Sequence, residues 1–209
     1  MDRASATTGG GKGAERLEAL SDGVFAIAMT LLVLDVSVPT GLDEAEFHEA
    51  LRETLPNLGA YALSFAVIAE FWTDHRRILR AFPTVDGRVT GLTLLGLGLI
   101  ALLPFPTALL AEYGDESLVV AIYSGSVAMT NAVHLALLLT SHSLLTPATE
   151  RITVNARRLD AADLGATVVV FGIAVPLAFA SPELAKLFWI TLIPAKLAVG
   201  HQQRRISRS

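Results

Sequence analysis

The 209-residue chain is 52% hydrophobic and only 17% charged, with a mean hydropathy of +0.53, too apolar for an ordinary water-soluble domain and short enough for one domain or at most two. Its formal charge of −4 and pI near 5.7 leave no basic surplus to neutralise phosphates, which argues against nucleic acid as a partner. The absence of cysteine excludes a disulfide, a thiolate nucleophile and Cys-ligated zinc or iron–sulfur sites.

A helix needs about 20 predominantly apolar residues to cross the hydrocarbon core of a bilayer. Residues 1–15, with Gly9, Gly10, Gly11 and Gly13 and no apolar periodicity, read as a flexible arm. The first apolar stretch runs from about Leu17 to Val38. Asp35 and Pro39 stand where a signal peptidase needs small neutral residues, so this stretch reads as a retained span. Leu42 to Leu55 is amphipathic enough for a short extracellular helix, and Pro56 suits the turn that opens a second span, about Leu55 to Thr73. A third covers Val89 to Leu110, with Pro104 and Pro106 near its end, where neighbouring helices can satisfy the freed backbone groups. A fourth covers Leu118 to Leu145. The last two, Ala161 to Ala180 and Pro182 to Gly200, flank the Ser181-Pro182 break and read as a helical hairpin. The predicted fold class is all-α: a polytopic membrane protein with six transmembrane helices in residues 16–200 and a basic tail at 201–209. No internal repeat at a fixed period suggests an inverted-repeat transporter.

Lys and Arg accumulate on the cytoplasmic side of membrane helices. Arg3, Lys12 and Arg16 precede or open the first span; Arg76, Arg77, Arg80 and Arg88 follow the second; Arg151, Arg157 and Arg158 follow the fourth; Arg204, Arg205 and Arg208 close the chain. The loops between are acidic, with Asp43, Glu44, Glu46, Glu49 and Glu53 after the first span and Glu112, Asp115 and Glu116 after the third. Counting Lys196 at the inner end of the last span, 14 of the 16 basic residues fall on one side, which predicts both termini in the cytoplasm.

No His-Glu-x-x-His, Gly-x-Ser-x-Gly or glycine-rich phosphate loop followed by Lys occurs, so no motif marks an enzyme. The fourth span carries His134 with Asn131, and His142 with Ser141. An ionisable group inside a span suggests function; the plainer reading is a neutral His134 hydrogen-bonded between helices, with Asn131 one turn away as its partner. The first span is the most informative. At about 100° per residue, Ile27, Thr30, Leu31 and Leu34 form one stripe, continued inward by Gly23 and Leu20, whereas Asp22 lies about 140° from Ile27. Such a stripe can line a constriction when several subunits bring copies together around an axis, and it can equally serve plain helix packing. Ser21, Asp22 and Arg16 are expected to face other helices, where a carboxylate must be paired or hydrogen-bonded. Trp72 and His75 sit at the same depth on the second span as candidate partners, while a second reading has Asp22 simply meeting the helix macrodipole.

The run Arg16-x-x-x-Leu20-Ser21-Asp22-Gly23, with the apolar helix that follows to Asp35, closely resembles the Arg-x-x-x-Phe-Ser-Asp signature of the prokaryotic branch of the transmembrane protein 175 family of potassium channels. Leu20 stands where that signature carries Phe. Trp72-x-x-His75 also looks like that branch, and the six-span layout matches it over nearly the whole chain. The resemblance implies a homotetramer in a prokaryotic plasma membrane, whose first helices line a central cation pathway, with no cofactor and with potassium as the permeant ion. It also implies Ile27 at the narrow hydrophobic constriction, Leu31 and Leu34 as further apolar layers, and Thr30 at a hydroxyl layer linked to potassium preference. Arg16, Ser21, Asp22, Trp72 and His75 match the polar network that holds the pore helix in place. The chain lacks Thr-Val-Gly-Tyr-Gly, so a carbonyl-lined filter of that kind is not available.

A ring of Ile27 side chains would gate by dewetting, and Thr30 hydroxyls would offer oxygens to a partly dehydrated ion. Asp35 and the acidic loops would concentrate cations at the outer mouth, an effect that salt screens; the same acids read equally as ordinary solvated loop charge. Two other functions stay open: a proton-conducting pore relayed by His134, His75 or Asp22, and a membrane enzyme or scaffold for which the bundle is only an anchor.

Overall fold

The computed structural model describes residues 7–80, 82, 85–140 and 150–192. Every regular element among them is helical: α1 (Thr7–Leu31), closed by a 3-10 turn (Leu32–Asp35), then α2 (Glu44–Glu53), α3 (Leu55–Leu79), α4 (Gly87–Leu102), α5 (Pro104–Glu112), α6 (Ser117–Thr140), α7 (Glu150–Ala180) and α8 (Pro182–Trp189). Four segments among the described residues are long and apolar enough to cross a membrane: Gly13–Leu34, Gly87–Glu112, Ser117–Thr140 and Arg157–Ala180. The predicted second span lies on α3, which is not among the four; Pro56, Asn57 and Glu70 lower the mean hydropathy of its apolar part, and Asp74, Arg76 and Arg77 follow. The predicted sixth span is described only as far as Leu192; its inner end with Lys196, together with Arg3, Ser141, His142 and the tail at 201–209, lies outside the described residues.

The first helix begins at Thr7 rather than near Arg16. The stretch from Gly9 to Gly13, expected as a flexible arm, therefore continues α1. Glycine weakens a helix without forbidding it, and propagation from the apolar turns that follow is cheaper than nucleation.

Local chemistry sets the other boundaries. Asp43 and Glu46 form a reciprocal capping box at the start of α2, with Glu46 N–H donating to Asp43 Oδ1 at 2.9 Å and Asp43 N–H to Glu46 Oε2 at 3.0 Å. Asp86 caps α4 by accepting from Val89 N–H, and Ser181 caps α8 by accepting from Leu184 N–H. Pro104 has no N–H for the Ile100 carbonyl, so Leu103 N–H takes that carbonyl at 3.1 Å and the third predicted span breaks into α4 and α5.

Helix α6 is the centre of the bundle, packed on α3, α4, α5, α7 and α8, whereas α1 lies at the edge against α3, α4 and α5. Phe25, Ala28 and Leu32 put one face of α1 into a core with Ile68 and Phe71 of α3 and Leu97 and Ile100 of α4. Inside a bilayer this burial exchanges lipid contacts for protein contacts. Close packing and hydrogen bonds, rather than the hydrophobic effect, must therefore hold the edge helix.

Candidate functional site

Helix α1 has two unlike faces. Leu17, Ser21, Phe25, Ala28 and Leu32 are buried, and at 100° per residue they centre about 120° from Ile27. On the other side Ile27 is 60% exposed, Leu31 40% and Leu34 70%, with Thr30, Gly23 and Leu20 exposed beside them. The helix tightens to 3-10 geometry after Leu31, where side chains three apart eclipse, so Leu34 stands directly beyond Leu31 on the same line. The Thr30 hydroxyl donates to Ile27 O at 2.9 Å. Its one proton is thus occupied, and the lone pairs are left to accept or to meet a cation. Asp35 ends the 3-10 turn.

The buried side of α1 is anchored by polar contacts to α3. Trp72 Nε1–H donates to Asp22 Oδ1 at 2.8 Å. The Ser21 hydroxyl donates to Leu17 O at 2.8 Å and lies 3.0 Å from His75 Nε2; His75 Nδ1 lies 3.2 Å from His134 Nε2 on α6. Ser21 has given its only proton to Leu17 O, so it faces His75 as an acceptor. That places the His75 proton on Nε2, makes Nδ1 the acceptor for His134 Nε2–H, and leaves His134 Nδ1 bare. That atom is buried and has no hydrogen-bond partner among the described residues. The result is one directed chain, α6 to α3 to α1, which ties the edge helix to the bundle centre and holds its rotation about its own axis.

Four of the five residues expected in this network come together: Ser21, Asp22, Trp72 and His75. Arg16 does not join them. It is exposed, and eleven residues before Ile27 puts it only about 20° from the Ile27 direction, on the uncovered face. The arginine beside Trp72 is instead Arg76, whose guanidinium lies 5.0 Å from the indole ring and pairs with Glu18 at 3.3 Å. Asn131 is not the partner of His134 either; its amide donates to Val127 O at 3.1 Å along its own helix. Glu18, Arg76 and the His75–His134 contact were not singled out by the sequence. The signal for Glu18 is its position four residues before Asp22, which puts both on one side of α1.

A second buried polar cluster fastens α3 to α5 and α6, with Ser64 Oγ 2.8 Å from Thr107 Oγ1 and 3.1 Å from the Tyr123 hydroxyl. Arg77 bridges α3 to α7, pairing with Asp74 and, at 2.8 Å, with Asp160. Among the described residues the stripe of Ile27, Leu31 and Leu34 on α1 is left uncovered, while the opposite face of the same helix is held by directional bonds.

A family model described as the endosomal/lysosomal potassium channel TMEM175 matches residues 16–104, which include α1 from Arg16 onward and all of α3 with Trp72 and His75. A potassium channel of Streptomyces collinus is 45% identical over 101 residues, 48% of this chain and 49% of that one, so the match spans about half the length of this relative. The endosomal/lysosomal proton channel TMEM175 of Gallus gallus is 40% identical over 112 residues, 49% of this chain and 22% of that one. The crystal structure of a lysosomal potassium-selective channel TMEM175 homolog from Chamaesiphon minutus superposes with a TM-score of 0.76 at 30% identity, covering 90% of this chain and 98% of that one.

Proposed function

The chain belongs to the TMEM175 family of ion channels, and from that premise we propose that it is a potassium-preferring cation channel in which several copies of α1 line one shared pathway. The observation that carries this reading is the uncovered stripe of Ile27, Leu31 and Leu34, 60%, 40% and 70% exposed, on a helix whose other face is bonded to its own subunit. A homotetramer of six-span subunits turns these stripes toward a common axis. Ile27 forms the constriction, Leu31 and Leu34 the apolar layers beyond it, and Thr30 the hydroxyl layer that favours potassium. A lumen this apolar closes by expelling water, so an ion would have to shed its hydration to pass. Potassium releases its water more readily than sodium, and four hydroxyl oxygens then tip the balance. Ser21, Asp22, Trp72 and His75 hold the pore helix, with Arg16 on the pore side at the cytoplasmic entrance. Asp35 and the acidic loops draw cations to the opposite mouth. The membrane is the plasma membrane of a prokaryote, with both termini and the basic segments on the cytoplasmic side.

The test is potassium flux from liposomes holding only the purified protein. Ile27→Asn wets the constriction and should raise the leak; unchanged flux would remove Ile27 as the gate. Reversal potentials measured under a potassium gradient and under a pH gradient separate a potassium pathway from a proton pathway. Flux insensitive to both Ile27→Asn and Ile27→Trp would favour a bundle that serves only as an anchor.

A further inference from the structure

Two cavities on the flank of the bundle have Leu63 and Trp189 in both their walls and lie end to end along α3, outlining a groove beside Trp189 with α6 and α7 at its deeper end. At the end nearest α2 its lining includes Gly59, Glu112, Asp115 and Lys186; deeper, it is mainly apolar, with Val67 and Phe171, but Glu70, Asn131 and Thr167 also reach its wall. From Pro56 to Phe71 along α3 the groove is about 22 Å long at 1.5 Å per residue. One leaflet of the hydrocarbon core is about 15 Å deep, so an acyl chain entering at the α2 end can lie along it. Trp189 is a fixed wall: its indole N–H reaches Ser124 Oγ at 3.2 Å and its ring stacks on Phe171.

The mouth has mixed charge. Lys186 pairs with Asp115 at 3.1 Å and Glu183 at 2.9 Å, and both carboxylates are largely exposed, at 95% and 69%, so water and incoming groups compete for them. Glu112 adds a third carboxylate at the rim. A phosphodiester needs the ammonium, and a primary amine needs the carboxylates. A headgroup carrying both satisfies the rim, a glycerol headgroup leaves the carboxylates facing an anion, and a trimethylated amine cannot donate hydrogen bonds to them. We propose that this groove is a binding site for a phosphatidylethanolamine-type lipid, with an acyl chain along α3 beside Trp189, the phosphate on Lys186 and the amine on Glu112 and Asp115. The proposal needs the chain to sit in a bilayer but does not depend on what it conducts.

Trp189 reports occupancy, because Trp72 is the only other tryptophan. The full chain is reconstituted in phosphatidylcholine vesicles containing increasing fractions of phosphatidylethanolamine or phosphatidylglycerol brominated along the acyl chain. Quenching is read as the difference between the protein and its Trp189→Phe variant. The expected result is quenching that saturates with phosphatidylethanolamine at a several-fold lower fraction than with phosphatidylglycerol, with the preference lost in Lys186→Ala and Glu112→Gln. A Cβ built on Gly59 meets nothing within 4 Å, so the backbone there tolerates a side chain and Gly59→Leu projects bulk into the groove. It should abolish the saturable component while leaving the circular dichroism and elution volume unchanged. Equal, non-saturating quenching by both lipids would overturn the proposal, leaving ordinary boundary lipid. Absence of quenching together with a disulfide between chains in Gly59→Cys would also overturn it, by placing a second copy in the groove.

Discussion

Loss of the Trp72 indole donor should loosen α1, and the size of the effect follows from the contact. The bond to Asp22 is 2.8 Å long and only part-buried. Hydrogen bonds to charged groups contribute about 1.5–3 kcal/mol in water-soluble cores, whereas polar pairs between membrane helices average about 0.6 and reach about 1.7 kcal/mol. Partial burial favours the lower range, about 0.6–1.7 kcal/mol. Trp72→Phe keeps an aromatic ring under Arg76 and removes only the donor. For a chain of this size about 1 kcal/mol moves the melting temperature by about 2–4 °C, so Trp72→Phe should melt about 1–7 °C below the parent. Asp22→Ala removes the other half of the bond and should fall by a similar amount, the detergent-extracted oligomer dissociating at a lower temperature than the parent's. The double variant should lose clearly less than the sum of the two single losses. The assay is loss of the monodisperse species on heating in detergent, followed by size-exclusion chromatography for all four proteins. Shifts that add to within about 0.3–0.5 kcal/mol mean no coupling and would refute the idea that this contact anchors the pore helix.

Thr30→Ala should lower the potassium-over-sodium permeability ratio, and Thr30→Ser should largely restore it, since only the oxygen is required; an unaltered ratio in Thr30→Ala removes this layer from selectivity. Gly114 is a steric requirement: a Cβ there would lie 2.7 Å from Leu110 O. Gly114→Ala should therefore cost about 1–3 kcal/mol, seen as a lower melting temperature. By contrast Gly91 on α4 is exposed, with nothing within 4 Å of a built Cβ, so Gly91→Ala should be neutral or stabilising by up to about 1 kcal/mol.

The spans on α1, α4 with α5, α6 and α7 were legible because apolar length and helix-breaking residues are local signals. Helix α2 was legible for the same kind of reason, since the alternation that marks its amphipathic face lies within a few turns. The Asp22–Trp72 and Ser21–His75 pairs were reachable from depth alone, because both sets lie about equally far from the same end of antiparallel helices. What escaped was azimuth and long range. Arg16 looked like a network member by motif, yet its rotation puts it beside the stripe. His134 lies 59 residues from His75, and nothing local in α6 distinguishes a histidine that meets another histidine from one that meets Asn131. Ser64, Thr107 and Tyr123 are ordinary residues for membrane helices, and only tertiary packing brings their hydroxyls together. The start of α1 at Thr7 was hidden by the glycines, whose low propensity is a weak local vote against a strong adjoining helix.

The claim that one face of α1 borders a shared aqueous path is open to a direct measurement, because the chain contains no cysteine. Single cysteines placed through α1 can be challenged with a charged thiol reagent while potassium flux from liposomes is recorded. Inhibition is expected at positions 20, 27, 30, 31 and 34, with none at 21, 25, 28 or 32. Inhibition on the buried side, or flux indifferent to modification at 27, 30 and 31, would contradict it.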